Sequence, residues 1–542
     1  MQKAKKYTVR RTTKSEASSN SDVLLEASKP LSQSIVWKLQ SDFYANQGPE
    51  AWIKGIVPQY ITTNPYIANV YAKTVFGYCR DLASGEDFDR NTTIYIMELA
   101  AGVGRFTYTF LKRFLYMTQN SSLKDLKIKY ILSDFAEQNV TYWQNHSYLK
   151  PYFESGILDC ALFDMTSDET LLLRHSNEVL HPGVLSSPLI LFANYTFDSI
   201  PQDTFYVNNG ILHEGLITIT AKSDENTPKD KSILAGLDYS YNDNQIEGSH
   251  YYEDNYFNDI LLFYKASMED TAFSMPIEAL RCIKRLRTLF GDDIVLLSTD
   301  KGYRNPESMY KNYHPYLSKH GSISLTVNFH ALELYFKSLG GNALHSLYEH
   351  ESVTTSLFLL SKHSHNFLET GMAYQEITEG IGPDDFYVLK KGIVPLKNSL
   401  TTRELLTFLR YTLWDAITFL EFYNTLLERI EKEEAFPKDE LIAAIYKVWE
   451  YYFPIGEDEN LFYCLATLLG YFGYDKDAIR LFQSSLEFYG EDAAIYYEIT
   501  LCYYNMQEFK KALEHINKAL SLNPKFEEAL SLKNLLTEVL QS

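Results

Sequence analysis

The chain is expected to be an α/β protein: a mostly parallel, Rossmann-like sheet with helices on both faces, followed by an all-α helical repeat domain. Three observations predict this. Short apolar runs alternate with amphipathic helical stretches between residues 94 and 298. Thr92–Arg105 reads as strand, small-residue turn and helix, the pattern of a ligand-binding crossover. From Thr401 onward the apolar period is helical only, and the chain closes on a 34-residue self-similarity.

The chain is long enough for two or three domains, at 542 residues. A hydrophobic fraction of 45%, with 42 Tyr and 32 Phe, supplies real cores and argues against bulk disorder. The net charge of −20 argues against a general grip on nucleic acid, which needs basic surface to neutralise phosphates, and leaves only a local basic groove open. Five cysteines (Cys79, Cys160, Cys282, Cys464, Cys502) stand without CxxC spacing, so neither a disulfide framework nor a zinc site is expected. No apolar run reaches the roughly 18 residues of a membrane span, and no signal-peptide core follows Met1. A cytoplasmic location is expected, with the mitochondrial matrix as the alternative.

Residues 1–33 read as a flexible basic tail, with Lys3, Lys5, Lys6, Arg10, Arg11 and Lys14 ahead of the first acid, Glu16. The α/β domain is expected over 34–395. Ile35–Tyr44 looks helical, and Gly55–Pro65 is a loop leading into a helix near Tyr66–Leu82. Strands are predicted at Ile94–Leu99, Ile128–Ser133, Ile157–Phe163, Leu189–Asn194 and Ile294–Ser298, with helices near 104–117, 136–149 and 277–290. Buried strands linked by crossover helices imply a parallel sheet. An insert is expected at about 204–275: a hairpin over 204–219 around Asn208-Asn209-Gly210, then a polar Asp/Asn/Tyr-rich mobile loop over 221–256. Ser322–Phe329 and Ser352–Leu360 are expected to add strands at the sheet edge.

Thr401 and Glu404 form a capping box that opens the helical region. Residues 396–455 are expected to be a helical linker or degenerate repeats, with Glu428–Glu434 a solvated helix face. In 456–542 the 34-residue offset pairs Phe462 with Tyr496, Leu465 with Ile499, Leu469 with Tyr503, Ala478 with Ala512, Phe482 with Ile516 and Gly490 with Pro524. This resembles the tetratricopeptide repeat, with residues 525–540 as a capping helix. Stacked hairpins of this kind suit the binding of protein segments, and a helical cap without a partner of its own is the alternative.

The candidate chemistry lies at the carboxyl ends of the predicted strands, where open α/β sheets bind ligands. Glu98 ends the first strand, and Ala100, Ala101, Gly102 and Gly104 follow, small enough for backbone N–H groups and a helix N-terminus to approach a ligand. An acid there suits a nucleoside or an amino group better than phosphate, which favours S-adenosyl-L-methionine over NAD or ATP. Asp134 ends the second strand and can accept two ribose hydroxyls; Asp164 ends the third and can meet an adenine amino group. Asn194 ends the fourth, where substrate and the methionine end of the cofactor meet.

The chain resembles the MidA-like S-adenosylmethionine-dependent methyltransferases, from about residue 55 to about residue 345. The resemblance is carried by Ile61-Thr-Thr-Asn-Pro65, Glu98-Leu-Ala-Ala-Gly-Val-Gly104, Ser133-Asp134, Ala193-Asn-Tyr-Thr-Phe-Asp-Ser-Ile-Pro201, Asp300-Lys-Gly-Tyr303 and Ser322–Phe329. It implies a class I methyltransferase sheet and a methyltransferase acting on a protein side chain, arginine in mitochondrial members. The cofactor residues it implies are Glu98, Ala100, Gly102, Gly104, Asp134, Asp164 and Asn194. The chain departs from the family at Ala100, where glycine is usual, at Tyr195, where glutamate is usual, and at Ser322 and Thr326, where an aspartate and a basic or amide side chain are usual. The methyl at Ala100 is tolerable where the backbone is not left-handed. With Tyr195 in place of the acid, Asp198 and then Asp300 are the candidate general bases, needed because a guanidinium or ammonium acceptor must shed a proton. For Asp198 a helix N-cap is the competing role.

Other chemistries are less well supported. Thr107 stands where a third glycine of GxGxxG would fall, which disfavours a dinucleotide oxidoreductase. No GxSxG, Walker loop or HExxH occurs, and His363-Ser-His365 lacks further ligands at metal spacing, so no metal site is expected. The competing class of function is a methyltransferase-fold scaffold or assembly factor that has lost turnover and works through its helical repeats. Oligomeric state is not legible.

Overall fold

The structure is a computed structural model, and it describes residues 23–86, 88–183, 185–221, 233–319, 321–348, 352–362 and 367–541. Seven strands form the central sheet: β1 (Ile94–Leu99), β2 (Ile128–Asp134), β3 (Leu158–Leu162), β4 (Leu189–Asn194), β5 (Ile294–Asp300), β6 (Asn342–His345) and β7 (Thr354–Leu360). Their order is β6-β7-β5-β4-β1-β2-β3. Strands β1 to β5 run parallel, β7 lies antiparallel to β5, and β6 lies antiparallel to β7. All five predicted strands are present, and Ser352–Leu360 joins the sheet as expected.

The period of two sends alternate residues of β1 into two cores. Ile94 and Ile96 pack with the helices Pro65–Ser84 and Arg105–Gln119, while Tyr95, Met97 and Leu99 pack with the helix Ile277–Phe290. Apolar on both faces, the strands read as continuous hydrophobic runs.

A second, antiparallel sheet holds several departures from expectation. Val23–Pro30 pairs with Ile211–Ala221, so residues 23–33 are not tail. Leu237–Ile246 pairs along the other edge of Ile211–Ala221, so much of the expected 221–256 loop is strand; residues 222–232 lie outside the described residues. Asp203–Asn208 and Thr271–Met275 complete this sheet. Within 322–329, Ile323–Ser324 and Val327–Asn328 form two short ladders of their own and do not extend the central sheet. Ile323–Ser324 pairs with Ser318–Lys319 and Val327–Asn328 with Gly302–Tyr303, so their backbone groups are taken up locally rather than by a strand of the central sheet.

From Thr402 to Gln541 the chain is helical, with the Thr401–Glu404 capping box in place. Ala478 and Ala512 are fully buried, as are Phe462, Leu465, Phe482 and Ile516, so the small and large positions of the 34-residue pattern are core positions. The helices Leu461–Tyr471 and Asp475–Tyr489 pair, as do Ala493–Asn505 and Phe509–Leu522. Among the described residues no helix is long and apolar enough to cross a membrane.

Candidate active site

The carboxyl ends of β1 to β4 open into a cavity of about 400 Å³. Glu98, Ala100, Gly102, Asp134, Asp164, Asn194 and Asp198 all line it, so seven of the nine predicted residues converge on one space. Gly104 and Asp300 stand behind the wall.

The turn after β1 is built on three positive-φ residues, Ala100 (φ 50), Gly102 (φ 56) and Gly104 (φ 78). Ala100 therefore occupies the left-handed region that its methyl disfavours, so the condition under which that methyl is tolerable is not met. A Cβ on Gly102 would meet the Trp52 ring at 3.1 Å, and one on Gly104 would meet Trp143 at 3.3 Å. Asp134 holds the turn by accepting from Gly102 N–H at 3.3 Å, and Trp143 Nε1 donates to Gly102 O at 2.8 Å.

Each carboxyl has a distinct environment. Glu98 is buried; Tyr130 OH donates to its Oε2 at 2.6 Å and Thr107 Oγ1 donates to the same atom. Burial pushes its carboxyl up to about 7 against the pull of those two donors. Asp134 is raised by burial too, opposed by N–H groups of Ala136 and Gly102 and by Asn139. Asp164 accepts from Thr166 N at 2.8 Å and Thr166 Oγ1 at 2.7 Å through the same oxygen, Oδ1.

Asp198 and Asp300 form a buried pair. Asp300 Oδ2 accepts from Thr196 N and Asp198 N, each at 3.2 Å, and its Oδ1 accepts from Lys301 N at 2.9 Å. Burial and then the charge of Asp198 drive Asp300 upward, so it keeps a proton more readily than an ordinary aspartate. Asp198 is raised by burial as well, and its Oδ1 accepts from Ser199 Oγ at 2.8 Å. Asp198 is thus the member that faces the cavity, and Asp300 braces the turn beneath it. Tyr195, at φ 48, is a second strained residue on the wall.

Two buried polar atoms of lining residues have no hydrogen-bond partner, the donor Asn194 Nδ2 and the acceptor Gln59 Oε1. Asn194 Oδ1 is already taken by Tyr71 OH, which fixes the amide's orientation.

Sequence reasoning missed the wall opposite the strand ends, which comes from the residues before the central sheet. Helix Ile35–Gln47 and the turn Glu50–Ile53 bring Trp37, Gln40, Tyr44 and Trp52 to the cavity. Tyr44 stacks on Trp52 with ring centres 5.7 Å apart. Gln40 ties this helix down, donating to Ser199 O at 2.9 Å and accepting from Ile323 N at 2.5 Å. The nearest signal was the helical reading of Ile35–Tyr44, which said nothing of where its aromatic face goes. The cationic residues on the wall are Arg105, paired with Glu457, and Lys301. Among the described residues no three His, Cys, Asp or Glu are grouped to hold a metal; His363 and His365 lie outside them.

No family model matches the chain, and no curated protein matches it. Among solved structures it is similar to a COG1565 superfamily member and likely methyl transferase from Burkholderia thailandensis bound to S-adenosyl-homocysteine. The identity there is 10%, over 65% of this chain and 92% of that one, with a TM-score of 0.34. An uncharacterized COG1565 superfamily protein from Burkholderia thailandensis gives 11% identity, 59% and 82% coverage and a TM-score of 0.34. YrrB, described as a TPR protein with an unusual peptide-binding site, gives 17% identity over 32% of this chain and 83% of that one, with a TM-score of 0.24.

Proposed function

We propose that the chain is an S-adenosyl-L-methionine-dependent methyltransferase of MidA-like type, acting on a protein side chain that its tetratricopeptide-type helices recruit. The observation that carries this reading is the acid-lined cavity above a glycine turn. Four carboxyl groups, of Glu98, Asp134, Asp164 and Asp198, face a space where Lys301 and the Glu457-paired Arg105 are the cations. A phosphate ligand would be repelled there, whereas a sulfonium with an ammonium group is complementary.

The residues present fit that cofactor. The unpartnered donor Asn194 Nδ2 and acceptor Gln59 Oε1 are together what a zwitterionic amino-acid end satisfies. In this reading Asp134 accepts ribose hydroxyls, Asp164 accepts from an adenine amino group, and Glu98 meets the ammonium side. When bound, S-adenosylmethionine supplies an electrophilic methyl group on a sulfonium. The chain's share is to hold the acceptor in line and to take its proton. Asp198 lines the cavity and is the base in this reading, while Asp300 holds the backbone of residues 196–198 in place. An arginine acceptor rests on the family resemblance. All five cysteines are free, which fits a reducing compartment such as the cytoplasm or the mitochondrial matrix.

Calorimetric titration with S-adenosylmethionine and S-adenosylhomocysteine tests the cofactor assignment. Micromolar binding is expected, lost in Gly102→Arg, whose side chain would run into Trp52, and in Asp134→Ala, which releases the turn. No binding by folded wild type sinks the enzyme reading. Tyr195, in the place of the family's acid, favours the scaffold alternative, and cofactor binding without methylation of any lysate protein would select it.

A further inference from the structure

We infer that Glu457, far along the chain in the helical region, is a positioning residue for the cofactor cavity and acts on it through Arg105. The inference rests on the reading of that cavity as a cofactor pocket.

Arg105 is the first residue of the helix Arg105–Gln119, directly after Gly104, and it lines the cavity. Its side chain is only 13% exposed, and the guanidinium pairs with Glu457 Oε1, with Phe453 O a further acceptor at 3.5 Å. Glu457 is itself fixed, because its Oε2 accepts from Tyr452 OH at 3.0 Å and from Ile455 N at 3.3 Å. The pair thus joins the rim of the glycine turn to the connection between the helices Lys438–Tyr451 and Leu461–Tyr471.

This connection and the end of the helix before it grip the α/β domain at further points. Phe453 stacks on His146 with ring centres 4.0 Å apart, and His146 Nε2 bonds Pro454 O at 2.8 Å. Tyr108, one turn along the Arg105 helix, donates to Glu450 O at 3.2 Å. The turn is therefore held from two sides. Asp134 and Trp143 hold it from within the sheet domain, and the helical region holds the start of its helix from outside. Losing the outer hold lets the guanidinium turn into an acid-lined cavity, where it competes with a cationic ligand for the carboxyl groups. By linkage, whatever shifts residues 453–457 changes cofactor affinity, and cofactor binding acts back on those residues equally.

The test is calorimetric titration of the full-length chain with S-adenosylhomocysteine. Wild type, Arg105→Ala, Glu457→Ala, Glu457→Gln, the Arg105→Ala/Glu457→Ala double variant and the exposed control Glu487→Ala are compared. Glu457→Ala is expected to raise Kd about tenfold, and Glu457→Gln, which keeps an acceptor for the guanidinium, about threefold. Glu487→Ala is expected to match wild type. The double variant is expected to bind no more weakly than the weaker single variant, since the two residues act as one unit. Should Glu457→Ala fail to fold, Glu457→Gln carries the comparison. Wild-type affinity in both Glu457 variants, or additive losses in the double variant, overturns the coupling while leaving the cofactor reading intact. No binding by wild type overturns both.

Discussion

Glu98 sits at the end of β1 with two hydroxyl donors on one carboxylate oxygen, and burial still wins, pushing it up to about 7. The folded state therefore holds this proton more tightly than the unfolded chain, whose ordinary value is 4.5. That stabilisation is fully present below pH 4.5 and is lost as pH rises through 7. Relative to Glu98→Gln, wild type should thus lose on the order of 3 kcal/mol between pH 4.5 and pH 8, read from urea midpoints. A midpoint difference that does not move with pH would mean that Glu98 binds its proton equally in the folded and unfolded states. Two residues on, Ala100 carries a methyl at φ 50 that a glycine would not. Ala100→Gly should stabilise the chain by about 1 kcal/mol in the same measurement, because the left-handed conformation costs an L-residue roughly that much. Neither property was legible from residue type: the acid at the strand end was, its burial and the sign of φ were not.

At the scale of elements, legibility followed burial. The strands β1 to β5 were readable because both faces are covered and their sequences run apolar to an acid or amide at or within two residues of the carboxyl end. Val23–Pro30 and Leu237–Ile246 were not, because they flank Ile211–Ala221 with largely exposed, Asp-, Asn- and Ser-bearing faces that carry no strong strand preference. The partner of Val23 is Ala221, a pairing no local pattern signals. The helix Ile35–Gln47 was read as helix, yet its role as a cavity wall depends on Gln40, a residue with no intrinsic claim to attention. Gln40 is buried and bridges Ser199 O to Ile323 N, which otherwise have to bury an unpaired acceptor and donor. Gln40→Ala should therefore cost about 2–3 kcal/mol in chemical denaturation, more than an average surface substitution. A loss under 0.5 kcal/mol would show that water replaces both contacts and that the helix is not pinned by this side chain.

Across the whole molecule, the helical region is joined to the α/β domain by buried polar contacts rather than by a bare linker. Lys390 Nζ lies 3.1 Å from Asp415 Oδ2 and 2.5 Å from Tyr60 OH, and it sits over the Tyr60 ring, 3.9 Å from its centre. Asp415 also caps the helix Ala416–Lys432, accepting from Thr418 N at 2.8 Å and Thr418 Oγ1 at 2.6 Å. Burial raises the Asp415 carboxyl, but Lys390 and the donors from Thr418 and Tyr60 outweigh it and hold it below the usual range. The residues just before it, Leu413 (φ 55) and Trp414 (φ 65), are both left-handed, a strained turn that delivers the carboxylate to the lysine. Tyr60 belongs to the short helix Tyr60–Thr63, of which Thr62 and Thr63, with the preceding Gln59, line the cavity. One ion pair thus links the cavity wall, the helix Pro383–Ile393 and the start of the helical region. Removing only the cation leaves a buried carboxylate without its charge partner, which costs far more than the pair itself contributes. Lys390→Met should destabilise the chain by about 3–5 kcal/mol, and Asp415→Asn in the same chain should recover part of that, since the amide keeps the cap and loses the charge. Equilibrium unfolding of wild type and the two variants decides it: a Lys390→Met loss that Asp415→Asn does not reduce would place the cost in packing rather than in the stranded charge.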